Sequence, residues 1–411
     1  MSEAWIIDAC RTPRGIGKKG KGALAEQHPQ HLGATVLKAI AARNDLNTAE
    51  VGDVIFGTSS QRGRQSGDLA RMSALEAGYD IRSSGMTLDR FCGSGITSVN
   101  LAAMNIMSGT EDLVIGGGAE MMSTYGEEGA AMNPFLDNGN LVLRDMHPQP
   151  HQGVCADAIA TLEGIPREAL DALAFTSQQN AAQAIENGYF DKSLVPVFST
   201  DGSLALDKEE FPRPQTTLEG LAELQASFAP LADYPLDEAG TTYRSMVLKK
   251  YPDLDIDHVH HAGNSSGVVD GAGAVLLASP DYARANGMQP RARIVAMCNM
   301  GDCPTLMLNA PVPATRKVLD KAGLSVADID LFEINEAFAV VAEKFIRDLE
   351  LDRSKVNVNG GAMALGHPIG ATGSILIGTV LDELERQDKQ FGLVTMCAAG
   401  GMAPAIVIER I

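Results

Sequence analysis

Two stretches, TSVNLAAMNIMSGTEDLVIGGG at residues 97–118 and TGSILIGTVLDELERQDKQFGLVTMCAAGG at residues 372–401, read the same way. Each runs as a helix of small and apolar residues, a polar turn, an apolar strand and a run of small residues. Each is also preceded by a glycine-rich bend carrying one reactive group, Cys92 in the first and His367 in the second. A duplicated α/β unit of this kind would face its two bends toward one shared cleft.

Outward from the repeat, short apolar runs alternate with helical patterns. AWIIDAC (4–10), DVIFGTS (53–59), GAVLLAS (273–279), RIVAMCN (293–299), IDLFEINEAF (329–338) and APAIVIERI (403–411) read as buried strands. IPREALDALAFTSQQNAAQAIENG (165–188) reads as a helix with Pro166 at its first position, Glu168 in its first turn and Gly188 as its stop. This alternation predicts an α/β protein with mostly parallel pairing. Residues 123–261, rich in proline and polar stretches, break the rhythm and read as an inserted loop domain. The halves are then 1–122, completed by about 262–280, and 281–411.

Composition narrows the function classes. A net charge of −19 excludes a general binder of nucleic acid or anionic membrane, which needs a basic footprint. The one locally basic stretch is CRTPRGIGKKGKG (10–22), with Arg11, Arg14, Lys18, Lys19 and Lys21; it reads as a solvated loop or a place for an anionic ligand. Six cysteines without CxxC pairs read as reduced thiols in the cytoplasm. No apolar run reaches the ~18 residues of a membrane span, neither a signal peptide nor a peroxisomal address is read, and no membrane insertion is expected.

Cys92, in FCGSG just before a helix, has the pattern of a thiolate nucleophile lowered by the helix N-terminus, or equally of a buried structural thiol. Cys397 ends an apolar strand at a glycine bend, and Asn335 and Glu336 stand at another strand end, positions of catalytic groups or of plain packing and capping. GIGKKGKG fails as a phosphate-binding P-loop because Gly22 stands where Ser or Thr is required. HVHH (258–261) alternates like strand-borne metal ligands but has no partner at a recognised spacing, so no metal is expected.

Five blocks, FCGSG around Cys92, AGNSSGVVDGAG from Ala262, INEAFA around Asn335, NGGAMALGHPIGATG around His367 and CAAGGMAP around Cys397, together resemble the thiolase family, in order along essentially the whole chain. The resemblance implies a five-layer αβαβα fold of two duplicated halves with an inserted loop domain, and a homodimer or homotetramer. It implies acyl-CoA substrates, coenzyme A as co-substrate and no permanently bound cofactor. On these positions Cys92 is the acylated nucleophile, His367 its base, Cys397 the group that handles the α-proton, and Asn335 the holder of an oxyanion-hole water. The backbone N–H groups of Cys92 and Ala399 form the second oxyanion hole. Ser266, His151 and Arg213 resemble coenzyme A contacts, and Phe338 and Met300 walls of the acyl pocket.

The chain departs from the short-chain members at Gln152, where they tend to carry methionine, and at ELQASF (223–228), where they carry a basic run. Its longer link before AGNSSG resembles degradative members that take longer or bulkier 3-ketoacyl chains. Rival readings are a condensing enzyme of the same superfold, against which Cys397 stands, a cysteine hydrolase, and a lipid-binding scaffold without activity.

Overall fold

The computed structural model describes residues 3–125 and 134–411. Its strands are β1 (Trp5–Arg11), β2 (Gly15–Ile16), β3 (Asp53–Gly57), β4 (Ser84–Leu88), β5 (Leu113–Met121), β6 (Val197–Phe198), β7 (Leu204–Leu206), β8 (Val269–Ala278), β9 (Ala292–Gly301), β10 (Leu331–Ile334), β11 (Phe391–Thr395) and β12 (Met402–Arg410). All but β6 and β7 join one ten-stranded sheet in the order β10-β11-β12-β9-β1-β8-β5-β3-β4, with β2 on β8. The runs read as strands are all present.

Pairing is not mostly parallel. Only β10–β11, β3–β4 and β3–β5 are parallel, at the two flanks; the central ladder through β12, β9, β1, β8 and β5 is antiparallel. The reason is connection length. β11 returns as β12 through the tight turn at Ala399–Gly401, which can only join antiparallel neighbours. β4 escapes sequence reading because its SGMTL is an exposed or half-buried edge with little apolar content.

Two helices, Ser94–Met107 and Thr372–Arg386, pack on each other between the halves of this sheet. Ile55, Val114 and Leu277 press on them from one half and Val394, Ile406 and Ile408 from the other, each side chain contributing about 1.5–3 kcal/mol on full burial. Helices Pro29–Arg43 and Leu69–Glu76 cover the first half outside, and Pro311–Ala322 covers β9 and β12. The result is the α-β-α-β-α layering. A helix buried between two sheets must be apolar or small nearly all round, as SGITSVNLAAMNIM is.

The central helices cross at glycine. A Cβ on Gly373 would stand 2.1 Å from the Ile96 nitrogen, and one on Gly95 2.7 Å from the Gly373 nitrogen. Only bare backbone fits there. The helix read over 165–188 spans Arg167–Glu186, with Pro166 one place earlier than expected, at the N-cap, and Gly188 left-handed at φ 68° just beyond its end. Among the described residues no helix is long and apolar enough to cross a membrane.

Candidate active site

The FCGSG turn delivers Cys92 through a strained residue. Phe91 has φ 49°, a left-handed conformation that costs a bulky residue on the order of 1–3 kcal/mol. Its neighbours hold it: the Phe91 N–H donates to Asp89 Oδ1 at 2.6 Å, and the Ser94 hydroxyl accepts from the Arg90 N–H at 2.8 Å and donates to the Phe91 carbonyl at 2.6 Å. Cys92 therefore sits just outside the first turn of the helix, only 5 % exposed. Burial pushes its thiol up to about 12, and the nearby negative charges of Glu120 and Asp89 push the same way. The local expectation of a helix-lowered thiolate is overturned, because desolvation outweighs the dipole here.

His367 is buried and neutral; loss of solvent lowers its pKa to about 3. Its tautomer follows from its neighbours. The Thr372 hydroxyl spends its single proton on the Pro368 carbonyl at 2.9 Å, so at 2.6 Å from His367 Nδ1 it can only accept. Nδ1 carries the hydrogen and Nε2 the free lone pair. Asn335 lies on that side, its amide Nδ2 3.5 Å from Nε2, while its buried Oδ1 has no partner among the described residues.

Cys397 follows β11 and is 1 % exposed; burial raises its pKa, and the charge of Cys92 raises it further, which places the two sulfurs in one electrostatic neighbourhood. A cleft of about 430 Å³ opens on Cys92, with Ile369 from the histidine bend and Ala399 from the Cys397 turn in its wall. The N–H groups of Cys92 and Ala399 donate to no backbone carbonyl among the described residues. Gln152 also lines this cleft.

Two residues that sequence reading passed over organise the site. One is Thr372. The other is Glu120, fully buried at the end of β5, whose carboxylate accepts from Thr58 Oγ1 at 3.0 Å, the Ser59 N–H at 2.8 Å, Gln65 Nε2 at 2.9 Å and the Gly370 N–H at 2.8 Å. The signal for it was the glutamate inside the apolar run LVIGGGAEMM. Beside it a Cβ on Gly118 would lie 2.1 Å from the Gly370 carbonyl oxygen, so glycine in the histidine bend permits main-chain packing on the sheet. Glu336, beside Asn335, is buried as well and accepts from Ser177 Oγ at 2.7 Å, Asn357 Nδ2 at 2.9 Å and the Met363 N–H at 3.2 Å.

A second cleft, of about 640 Å³, is lined by Arg213, Ser266, Lys18, Phe211 and Thr216. Main chain connects it to the first: Ser266 N–H donates to the Ala337 carbonyl at 3.0 Å, and His367 N–H to the Gly267 carbonyl at 2.9 Å. Arg213 is exposed, with its guanidinium 5.8 Å from the Phe211 ring centre. His151, Phe338 and Met300 are not among the residues lining the Cys92 cleft. His151 caps the helix Gln152–Leu162 through Nδ1 and stacks near Phe228, whose ring meets Phe338 edge-on at 5.7 Å; Met300 is half-buried on β9.

The basic stretch 10–22 is not a solvated loop throughout. Arg11 and Arg14 are buried on Glu209, which, against the upward push of burial, their charges hold down to about 2. The HVHH imidazoles are likewise committed, His258 and His260 to Asp157 and His261 to Asp171. Among the described residues no group of three or more His, Cys, Asp or Glu could hold a metal ion.

Comparison with known proteins gives the family. The model of the thiolase N-terminal domain matches residues 4–231 and that of the thiolase C-terminal domain residues 288–410. A steroid 3-ketoacyl-CoA thiolase of Mycobacterium tuberculosis is 39% identical over 100% of this chain and 95% of its own length. The acetyl-CoA acetyltransferase of Escherichia coli is 38% identical over 100% of both chains. The crystal structure of the Bacillus anthracis acetyl-CoA acetyltransferase superposes with a TM-score of 0.84 at 34% identity, covering 100% of this chain and 99% of that one. With both family domains matched and this level of identity along the whole length, the chain belongs to the thiolase family.

Proposed function

We propose that this chain is an acyltransferase that cleaves 3-ketoacyl-CoA with coenzyme A to acetyl-CoA and a shortened acyl-CoA, and runs in reverse as a Claisen condensation. The observation that carries this reading is the tautomer of His367. With Nδ1–H given to Thr372, the Nε2 lone pair is the base that takes the Cys92 proton as sulfur attacks the ketone carbon of the substrate. The oxyanion so formed is met by the free N–H groups or by a water held at Asn335, donors each worth roughly 10²–10³ in rate. The bond to the α-carbon then breaks, and Cys397 protonates that carbon to release acetyl-CoA. Coenzyme A enters, its thiol gives its proton to the Cys397 thiolate, and thiolysis of the acyl-cysteine expels the Cys92 sulfur, which recovers its proton from His367 and so returns the free enzyme.

Coenzyme A lies, in this reading, in the cleft of Arg213 and Ser266, with the pantetheine arm directed to Cys92 along Gly267. An oligomer, dimer or tetramer, has support in β4, an edge strand paired only with β3 among the described residues and carrying an exposed Met86. A cytoplasmic location has support in six unpaired cysteines.

Incubation with an acyl-CoA and no acceptor should leave the acyl group on Cys92, read by peptide mapping. Cys397→Ala should keep that acylation but slow exchange of acetyl-CoA methyl protons with deuterated water by about 10²–10⁴, the scale of a lost proton-transfer group. Acyl transfer to water with no response to coenzyme A would favour a hydrolase, and a label elsewhere than Cys92 would end this assignment.

A further inference from the structure

The Cys92 cleft is much larger than an acetyl group needs, and it has a cation in its wall. At about 30 Å³ per water-sized group its roughly 430 Å³ holds on the order of a dozen non-hydrogen atoms. Phe135, Leu136 and Ile369 give it an apolar side, while Ser59, Ser60, Asn138 and Arg62 give it a polar one. The one acid among the described residues of this lining, Asp89, accepts from the Phe91 N–H.

Arg62 differs from most arginines of this acidic chain. Arg11, Arg14, Arg144, Arg244, Arg291 and Arg353 all sit against carboxylates. Arg62 is exposed, and among the described residues its only hydrogen bonds are those of its main chain, N–H to the Ser60 carbonyl at 2.8 Å and carbonyl from the Gln65 N–H at 2.9 Å. Its loop is nonetheless built. Thr58, Ser59 and Gln65, on either side of it, are all fastened to the buried carboxylate of Glu120. A guanidinium carried on this pinned loop and lining a partly apolar cleft is suited to a planar anion, and a carboxylate fits it bidentately.

We infer that the acyl group handled at Cys92 ends in a carboxylate distal to the thioester, and that Arg62 is the residue that selects it. This rests on the thiolase reading and narrows its substrate class. The test compares two 3-ketoacyl-CoA substrates of equal chain length, one ending in methyl and one in carboxylate, with acetoacetyl-CoA as reference. The native protein should show the higher kcat/KM with the carboxylate. Arg62→Gln should reduce the carboxylate-to-methyl ratio roughly tenfold or more, Arg62→Lys should retain part of the preference, and Arg62→Glu should turn it toward methyl. A native ratio at or below one, or a ratio that Arg62→Gln leaves unmoved, overturns the inference while the thiolase reading stands. Failure to cleave acetoacetyl-CoA and both chains alike would overturn the functional reading, and the inference with it.

Discussion

Replacing Thr372 by valine removes a hydroxyl that does two things at once, accepting from His367 Nδ1 and donating to the Pro368 carbonyl. Valine keeps the shape. The histidine is buried and neutral, so its Nδ1–H would be left without a partner at a cost of about 1–3 kcal/mol. The imidazole has an escape. Asn335 Oδ1 is an unpartnered buried acceptor, and once its amide turns, an Nε2–H can donate to it. The proton then sits on the nitrogen that, in the proposed mechanism, must be free to take the Cys92 proton. A tautomer shift of that energy lowers the population of the active form, and so the acylation rate, by roughly 5- to 150-fold at 1.36 kcal/mol per tenfold. The assay is single-turnover acylation of Cys92, with ¹⁵N resonances of His367 reporting the tautomer. Thr372→Ser retains the hydroxyl and should recover most of the rate, which a general loss of packing would not explain. Acylation at the native rate in Thr372→Val, with Nε2 still unprotonated, would refute the reasoning.

Gly373→Ala should lower the melting temperature and the soluble yield, because a methyl 2.1 Å from the Ile96 nitrogen forces the central helices apart at a cost of about 1–3 kcal/mol or more; a native melting temperature would show that the crossing is slack. Stability should fall on both sides of neutrality. The folded pKa of His367 is depressed, so its contribution is present above the unfolded value of about 6.5 and is lost as pH falls toward about 3. Those of Cys10, Cys92, Cys155 and Cys397 are raised, so theirs is present below about 8.5 and is lost as pH climbs. Urea midpoints across pH check this, and Cys92→Ser should flatten the alkaline limb by its share; an unchanged slope would contradict the burial of that thiol.

The strands were legible because a strand covered on both faces is a continuous apolar run, whatever the direction of its neighbours. Direction was not. Nothing in FGLVT or APAIVIE says that they pair antiparallel; that comes from the tight turn at Ala399–Gly401 and from where the chain must go next. Cys92, Asn335, His367 and Cys397 stood out because each occupies a bend or strand end in a recognisable block. Thr372 and Glu120 did not, since a threonine at a helix start and an acid at a strand end look ordinary until the partner 5 or 250 residues away is seen. The same distance hid Glu209 from Arg14, 195 residues earlier, and put the two arginines of an apparent basic loop into a buried ion pair while its lysines stay exposed. The helix argument for a low Cys92 pKa failed for a related reason: it counted the local dipole and left out burial by segments remote in sequence.

Glu120 joins the two halves in a way that also constrains the chemistry. It stands on the first half's β5 and takes the Gly370 N–H of the second half's histidine bend, so the same carboxylate positions the cleft loop and the turn that carries His367. Its charge lies close enough to Cys92 to disfavour the thiolate. Burial disfavours the imidazolium at the same time. If the two act together as proposed, they rest as a neutral thiol and a neutral imidazole, unlike a preformed thiolate–imidazolium couple. In the proposed mechanism sulfur becomes nucleophilic only as its proton passes to Nε2, so that negative charge is carried to the substrate oxygen and its proposed N–H donors without accumulating on sulfur. A thiol held neutral until substrate arrives is also slow to react with adventitious oxidants and alkylators, whose attack needs thiolate.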